Sequence, residues 1–170
     1  MSETRRAIAA HVRANPGVHF SGVVRGLDLA PGQVQYHLRR LGKEGEVVAE
    51  ELRGRTHYYP PEYDDWERAA LATFRRETAR DVLAHLLDVG EAAPAELADE
   101  LELARSTVEW HLDSLVAHDL VDKRRENNRV RLALARPEAT ADLLGEITPS
   151  LPERMVDRFT RLVDDFVEGG

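Results

Sequence analysis

The chain has no cysteine among its 170 residues, which excludes disulfides, thiolate metal sites and cysteine nucleophiles. No apolar run approaches the roughly 18 residues that a membrane-spanning helix needs. The opening stretch from Met1 to Arg6 lacks the apolar core of a secretory signal, so a cytoplasmic protein with no membrane partner is expected. Nucleophile elbows, phosphate loops and paired carboxylates in a catalytic setting are also missing, so no enzyme is expected. The histidines His11, His37, His85 and His111 fall on inward or boundary helix faces, without the close spacing of a ligand set. No metal and no cofactor are expected.

Lysine is nearly absent. Lys43 and Lys123 are the only ones, and every other cation is arginine. This usage, with abundant Asp and Glu, matches proteins of salt-loving archaea; a GC-rich genome that favours Arg codons gives the same bias. Net charge is −8, a balance unfavourable to polyanions. The acid is not evenly spread, however. Residues 1–60 carry 9 cations against 6 anions, residues 61–90 carry 4 against 7, residues 91–136 carry 7 against 10, and residues 137–170 carry 3 against 8.

The one basic segment contains the first copy of a phrase that occurs twice. Leu29, Ala30, Val34, His37, Leu38 and Leu41 reappear as Leu103, Ala104, Val108, His111, Leu112 and Leu115. Within each copy the last four fall at i, i+3, i+4 and i+7, one face of a helix. The opposite face of the first copy carries Gly32, Tyr36, Arg39 and Lys43, flanked by Gln33, Gln35 and Arg40. That of the second carries Ser106, Trp110, Asp113 and Ala117, flanked by Thr107, Glu109 and Ser114. The buried faces match and the outward faces differ.

The surrounding chain gives both copies the same setting. A helix is predicted over 3–14, with Ile8, His11 and Val12 inward, followed by a turn at Asn15-Pro16-Gly17. A short helix over 20–27 and a tight turn at Asp28–Ala30 lead to the repeated helix. Pro31 suits that helix's first position and Gly45 its C-terminal cap. The period then shifts: Val47–Leu52 and Arg55–Tyr59 around Arg53-Gly54 read as a hairpin. A linking helix follows over 64–75, with Trp66, Ala69, Ala70 and Phe74 inward. Thr78 is placed to cap a helix over 79–89, Pro94 to open a short one, and Asn127-Asn128 to turn a second hairpin (Leu120–Arg125 and Arg129–Leu134). Residues 3–55 and 77–129 align without a gap at an offset of 74, with 14 identities, against about three by chance at ordinary residue frequencies. One unit has been duplicated.

The expected fold is therefore mainly α with small β-hairpin wings (α+β): a winged helix-turn-helix domain over 1–61, a linking helix over 62–78, a second such domain over 79–136, and C-terminal helices over 137–170. Pro137 starts the first of these, with Leu143, Leu144 and Ile147 inward. From Glu153 to Val167 runs an amphipathic stretch with Met155, Val156, Phe159, Leu162, Val163 and Phe166 on one stripe, expected to form a homodimer.

Ser106, Thr107, Val108, His111 and Leu112, followed by Asp119, Leu120, Val121 and a basic hairpin, resemble archaeal winged-helix regulators of the arsenic-repressor-like and multiple-antibiotic-resistance-regulator-like kind. The duplication resembles archaeal regulators with two helix-turn-helix domains in one chain. The resemblance covers roughly 3–134 and implies a DNA-binding transcriptional regulator, often dimeric. The outward residues suit that role. Arg39, Arg40 and Lys43 can meet phosphate, Gln33 and Gln35 adenine edges, and Arg guanine; Tyr36 lies among them. Arg53, Arg55 and His57 put charge on the first wing. In the second copy Arg105, Ser106 and Thr107 open the helix, and Lys123, Arg124, Arg125, Arg129 and Arg131 supply a basic wing. Asp113 sits where Arg39 does, so the second copy is expected to act mainly through its wing. The expected partner is double-stranded DNA; the rival is a winged-helix adaptor for another protein.

Overall fold

Ser2 starts the first helix by accepting a 3.1 Å bond from the Arg5 amide, with Glu3 in the first turn where a negative charge suits the helix dipole. A computed structural model describes residues 2–147. The stretch 153–167, to which dimerisation was assigned, lies outside the described residues. The chain divides into two units, Met1–Ala72 and Thr73 onward.

In the first unit, α1 (Glu3–Ala14), α2 (Phe20–Leu27) and α3 (Pro31–Lys43) pack around Ile8, Val12, Val23, Val34, Leu38 and Leu41. These are the apolar positions of the 3.6-residue period. The ring nitrogen Nδ1 of His19 accepts from the Gly22 amide at 3.0 Å and caps α2, so its proton sits on Nε2. Pro31 opens α3 without a side-chain cap.

Val47 is buried, and β2 (Val48–Leu52) and β3 (Arg55–Tyr59) form the hairpin. Arg53 and Gly54 have φ of +49° and +80°, the left-handed pair a two-residue type I′ turn requires. The hairpin is not alone, as the sequence suggested. A two-residue strand, β1 (Val18–His19), pairs antiparallel with β3, so the sheet order is β1-β3-β2.

The helix α4 (Asp65–Phe74) is anchored in the first unit through Arg68. Its Nε meets Glu50 at 2.9 Å, its Nη1 donates to the Tyr63 carbonyl at 2.6 Å, and Nη2 pairs with Asp65. Tyr59 Oη in turn donates to the Arg68 carbonyl at 2.9 Å. Burial alone would lower the guanidinium's pKa, but the Glu50 bond and the charges of Glu50 and Asp65 outweigh it and raise it. The whole run Ala69–Phe74 is buried, a wider face than the stripe the sequence marked.

The second unit repeats the first. Its helices are α5 (Glu77–Val89), α6 (Pro94–Glu100) and α7 (Arg105–Ala117). Its strands β4 (Glu91–Ala92), β5 (Val121–Glu126) and β6 (Arg129–Leu134) order as β4-β6-β5, and α8 (Pro137–Ile147) follows. The helix α7 starts and ends 74 residues after α3, and the second hairpin turn, Asn127-Asn128, has φ of +50° and +64°. Thr78 is not the cap of α5. The helix begins at Glu77 after Arg76, which makes no side-chain cap bond.

The turn between the second and third helices is left-handed in both units, at Asp28 (φ +52°) and Glu102 (φ +55°). A β-carbon there costs about 1–2 kcal/mol that glycine avoids. Glu102 is exposed and forms no ion pair among the described residues. Glu102→Gly is therefore expected to raise stability by about 1 kcal/mol, read as a higher midpoint in urea with an unchanged slope.

Candidate nucleic-acid interface

The helix α3 turns Val34, His37, Leu38 and Leu41 inward and leaves Gln33, Gln35, Tyr36, Arg39, Arg40 and Lys43 exposed. Tyr36 is 55% exposed despite its size; its ring meets that of His37 edge-on, centroids 5.2 Å apart. The Nε of Arg5 donates to His37 Nδ1 at 3.3 Å, fixing the inner ring. Arg40 is loosely tied to Glu44 at 3.9 Å. Arg39 and Lys43 form no ion pair among the described residues.

Beside α3 lies an open groove of about 590 Å³, between the start of α2, the outer side of α3 and β3. Ser21, Arg25, Gln35, Arg55, Thr56 and Tyr58 line it, with no carboxylate among the lining residues. Burial pushes the Tyr58 phenol above its usual value of 10.0, so it stays protonated and able to donate. The groove thus offers two guanidiniums, two hydroxyls and a phenol, a set suited to phosphate oxygens.

Two first-wing assignments change. His57 is 1% exposed and bonds through Nδ1 to the Gly17 carbonyl at 2.7 Å. It is an internal tie of the sheet, because the short strand β1 makes β3 a central strand. Arg53 is half-buried in its turn. Arg55 remains exposed on the groove.

In the second unit Arg105, Ser106, Lys123, Arg124, Arg125 and Arg129 are exposed, while Thr107 and Arg131 are half-buried. Trp110 occupies the place of Tyr36, is 54% exposed, and sits edge-on to His111 at 4.9 Å. Sequence reasoning missed the acids that face this wing. Glu109 reaches Lys123 at 3.6 Å and Arg105 at 3.7 Å, and Glu91 and Glu96 reach Arg131 at 3.8 and 3.5 Å. Glu91 also reaches Arg124 at 3.6 Å. The one available signal was Glu109 standing 74 residues after Gln35.

Each unit therefore repeats three helices and a hairpin, with the third helix presented outward beside the hairpin. A family model described as an N-terminal HTH domain matches residues 2–71, and one described as a helix-turn-helix domain matches residues 76–124. This chain is a tandem winged helix-turn-helix protein. The tandem protein is 28% identical over 130 residues to an uncharacterised HTH-type transcriptional regulator of the archaeon Methanocaldococcus jannaschii, covering 76% of this chain. It spans 33% of that relative's length. Among solved structures, HlyU from Vibrio cholerae is 31% identical over 46% of this chain and 84% of its own, with a TM-score of 0.42. The cadmium metal-sensor CMTR from Mycobacterium tuberculosis is 36% identical over 46% and 81%, with a TM-score of 0.39. The fold itself stands on the strand registers and helix positions above. Among the described residues no helix is long and apolar enough to cross a membrane.

Proposed function

We propose that the tandem protein binds double-stranded DNA and regulates transcription, with α3 in the major groove and the first wing on the backbone. The observation that carries this reading is the exposed row of Gln33, Tyr36, Arg39, Arg40 and Lys43 next to a groove without carboxylates. Gln33 and Gln35 would read base edges. Arg39, Arg40 and Lys43 would meet phosphate or guanine, and Arg25 and Arg55 would hold the flanking backbone. The likeness to a protein named as a transcriptional regulator supports the same reading. The C-terminal stripe would pair two chains and so set the spacing of two half-sites. A Phe159→Glu, Leu162→Glu variant that stayed dimeric in light scattering would remove that part.

Titration of random duplex DNA against salt tests the reading. Binding through phosphates gives a line of log affinity against log salt falling by about 0.9 per contact, and footprinting on genomic fragments then locates operators. Little binding at any salt would select the protein-adaptor role instead.

A further inference from the structure

The two units carry the same groove at the same repeat positions. Ser21, Gln35, Arg55 and Thr56 line the first; Ala95, Glu109, Arg129 and Val130, each 74 residues later, line the second. The first holds about 590 Å³ and the second about 310 Å³. Their electrostatics are opposed. No carboxylate lines the first, and Arg25 and Arg55 form no ion pair among the described residues. The second is lined by Glu96 and Glu109, and of its lining cations all but Arg129 are already engaged: Arg105 and Lys123 by Glu109, Arg131 by Glu91 and Glu96; Arg124 nearby is held by Glu91 and Asp122.

We infer that the second unit's helix–wing groove is closed to DNA phosphate by its own carboxylates Glu91, Glu96 and Glu109, which take the anion positions that the first unit leaves open. A phosphate entering there must displace a carboxylate that cannot leave. The displaced acid stays tethered beside the newcomer, and like charges at that range repel. The cations gain little from the exchange, because one anion replaces another. This rests on the reading that the first unit binds duplex DNA, and it changes what the second wing does. Of the second unit's wing cations, Arg125 and Arg129, flanking the Asn127-Asn128 turn, form no ion pair among the described residues. They are the ones left for a backbone contact at the wing tip. The second helix then stays off the groove floor of DNA, with Asp113 at the centre of its outward face and Trp110 still in solvent.

Trp110 makes this measurable. With Trp66→Phe in the full chain, Trp110 is the remaining tryptophan, and labelled random duplex reports binding by anisotropy. The expected result is that DNA binds without changing Trp110 emission or its quenching by acrylamide. The variant Glu91→Gln, Glu96→Gln, Glu109→Gln is expected to bind tighter, with a salt slope steeper by about two to three, since up to three cations (Arg105, Lys123 and Arg131) are released while Arg124 keeps Asp122, and to show Trp110 protected by DNA. In an Arg39→Ala, Arg55→Ala background the same three changes are expected to restore binding. The control Glu138→Gln, Asp142→Asn, Glu146→Gln alters net charge equally on exposed positions of α8 and is expected to leave the slope unchanged. Should the triple variant unfold, Glu109→Gln alone, which installs the first unit's residue, is expected to steepen the slope by about one to two. The inference is overturned if DNA shifts or protects Trp110 in the chain with its acids intact, or if the Gln variants match the control. If the unaltered chain binds no DNA at any salt, the proposed function fails; the lock then stands only if the Gln variant alone acquires binding, and falls if it does not.

Discussion

Replacing Arg39 and Lys43 together by alanine is expected to lower the affinity of the chain for duplex DNA by about 60-fold near 0.1 M salt, because on the proposed function each lost phosphate contact forfeits about a factor of eight there. Glutamate at both positions costs more, about two to three orders of magnitude, since each substitution also brings a like charge against the backbone. The salt slope falls by about 1.8 for the alanine pair. Both side chains are exposed and tied to no acid among the described residues, so the fold should hardly register the change. Stability is expected to stay within about 0.5 kcal/mol, apart from a small loss of helix-dipole compensation at Lys43. That separation makes the result interpretable: an unchanged melting curve with lost binding locates the contact on α3. Unchanged binding by fluorescence anisotropy would mean that the outward face of α3 meets no phosphate, and the row of cations would be ordinary solvated surface.

Much of the architecture was legible because it obeys short periods. Val34, His37, Leu38 and Leu41 mark one helix face, and the structure buries all four. Arg53-Gly54 and Asn127-Asn128 mark hairpin turns, and all four residues have positive φ. The duplication was legible as well, since equal spacing in sequence became equal spacing of helices and turns. Strands of two residues were not. Val18–His19 and Glu91–Ala92 are too short to show any alternation, and they exist only because a hairpin strand offers them a free edge. Missing β1 is what put His57 on the surface: with a strand on each side, β3 is central, and the imidazole faces the Gly17 carbonyl rather than a ligand.

The candidate interface was legible as a list and not as a balance. Which residues of α3 point outward follows from 100° per residue. Whether a wing arginine is available for phosphate depends on tertiary neighbours. Lys123 meets Glu109 across a helix–strand gap, and Arg131 meets Glu91 and Glu96 from two other elements. Counting charges along the chain ranks the second wing as the more basic one. Pairing them in space leaves the first groove, with fewer cations, as the one without internal acid. Arg68 escaped notice for the same reason, because its partner Glu50 lies on a separate strand that only folding brings near.

Gly17→Ala is expected to damage the first unit strongly, because the obstacle it meets is backbone. Gly17 has φ of +88°, and a β-carbon there would stand 3.0 Å from the Leu71 carbonyl carbon and oxygen. The obstacle is backbone in a buried helix turn, so no side chain can swing aside. The same residue donates its amide to the Tyr58 carbonyl at 2.9 Å and receives His57 on its own carbonyl at 2.7 Å. Moving it therefore disturbs β1, β3 and the seat of α4 together. Left-handed strain contributes about 1–2 kcal/mol and overpacking about 1–3 kcal/mol. The sum of about 2–5 kcal/mol corresponds to a fall of roughly 10–25 °C in the melting midpoint for a unit of this size. Gly45→Ala separates the two contributions: its φ is +73°, but nothing lies within 4 Å of its β-carbon, so only the strain of about 1–2 kcal/mol should appear. DNA affinity should follow the same order, because Arg55 on β3 is held by the strand pairing that Gly17 anchors. Equal losses for the two variants would show that α4 does not press on β1, and that this contact is not what fixes the wing.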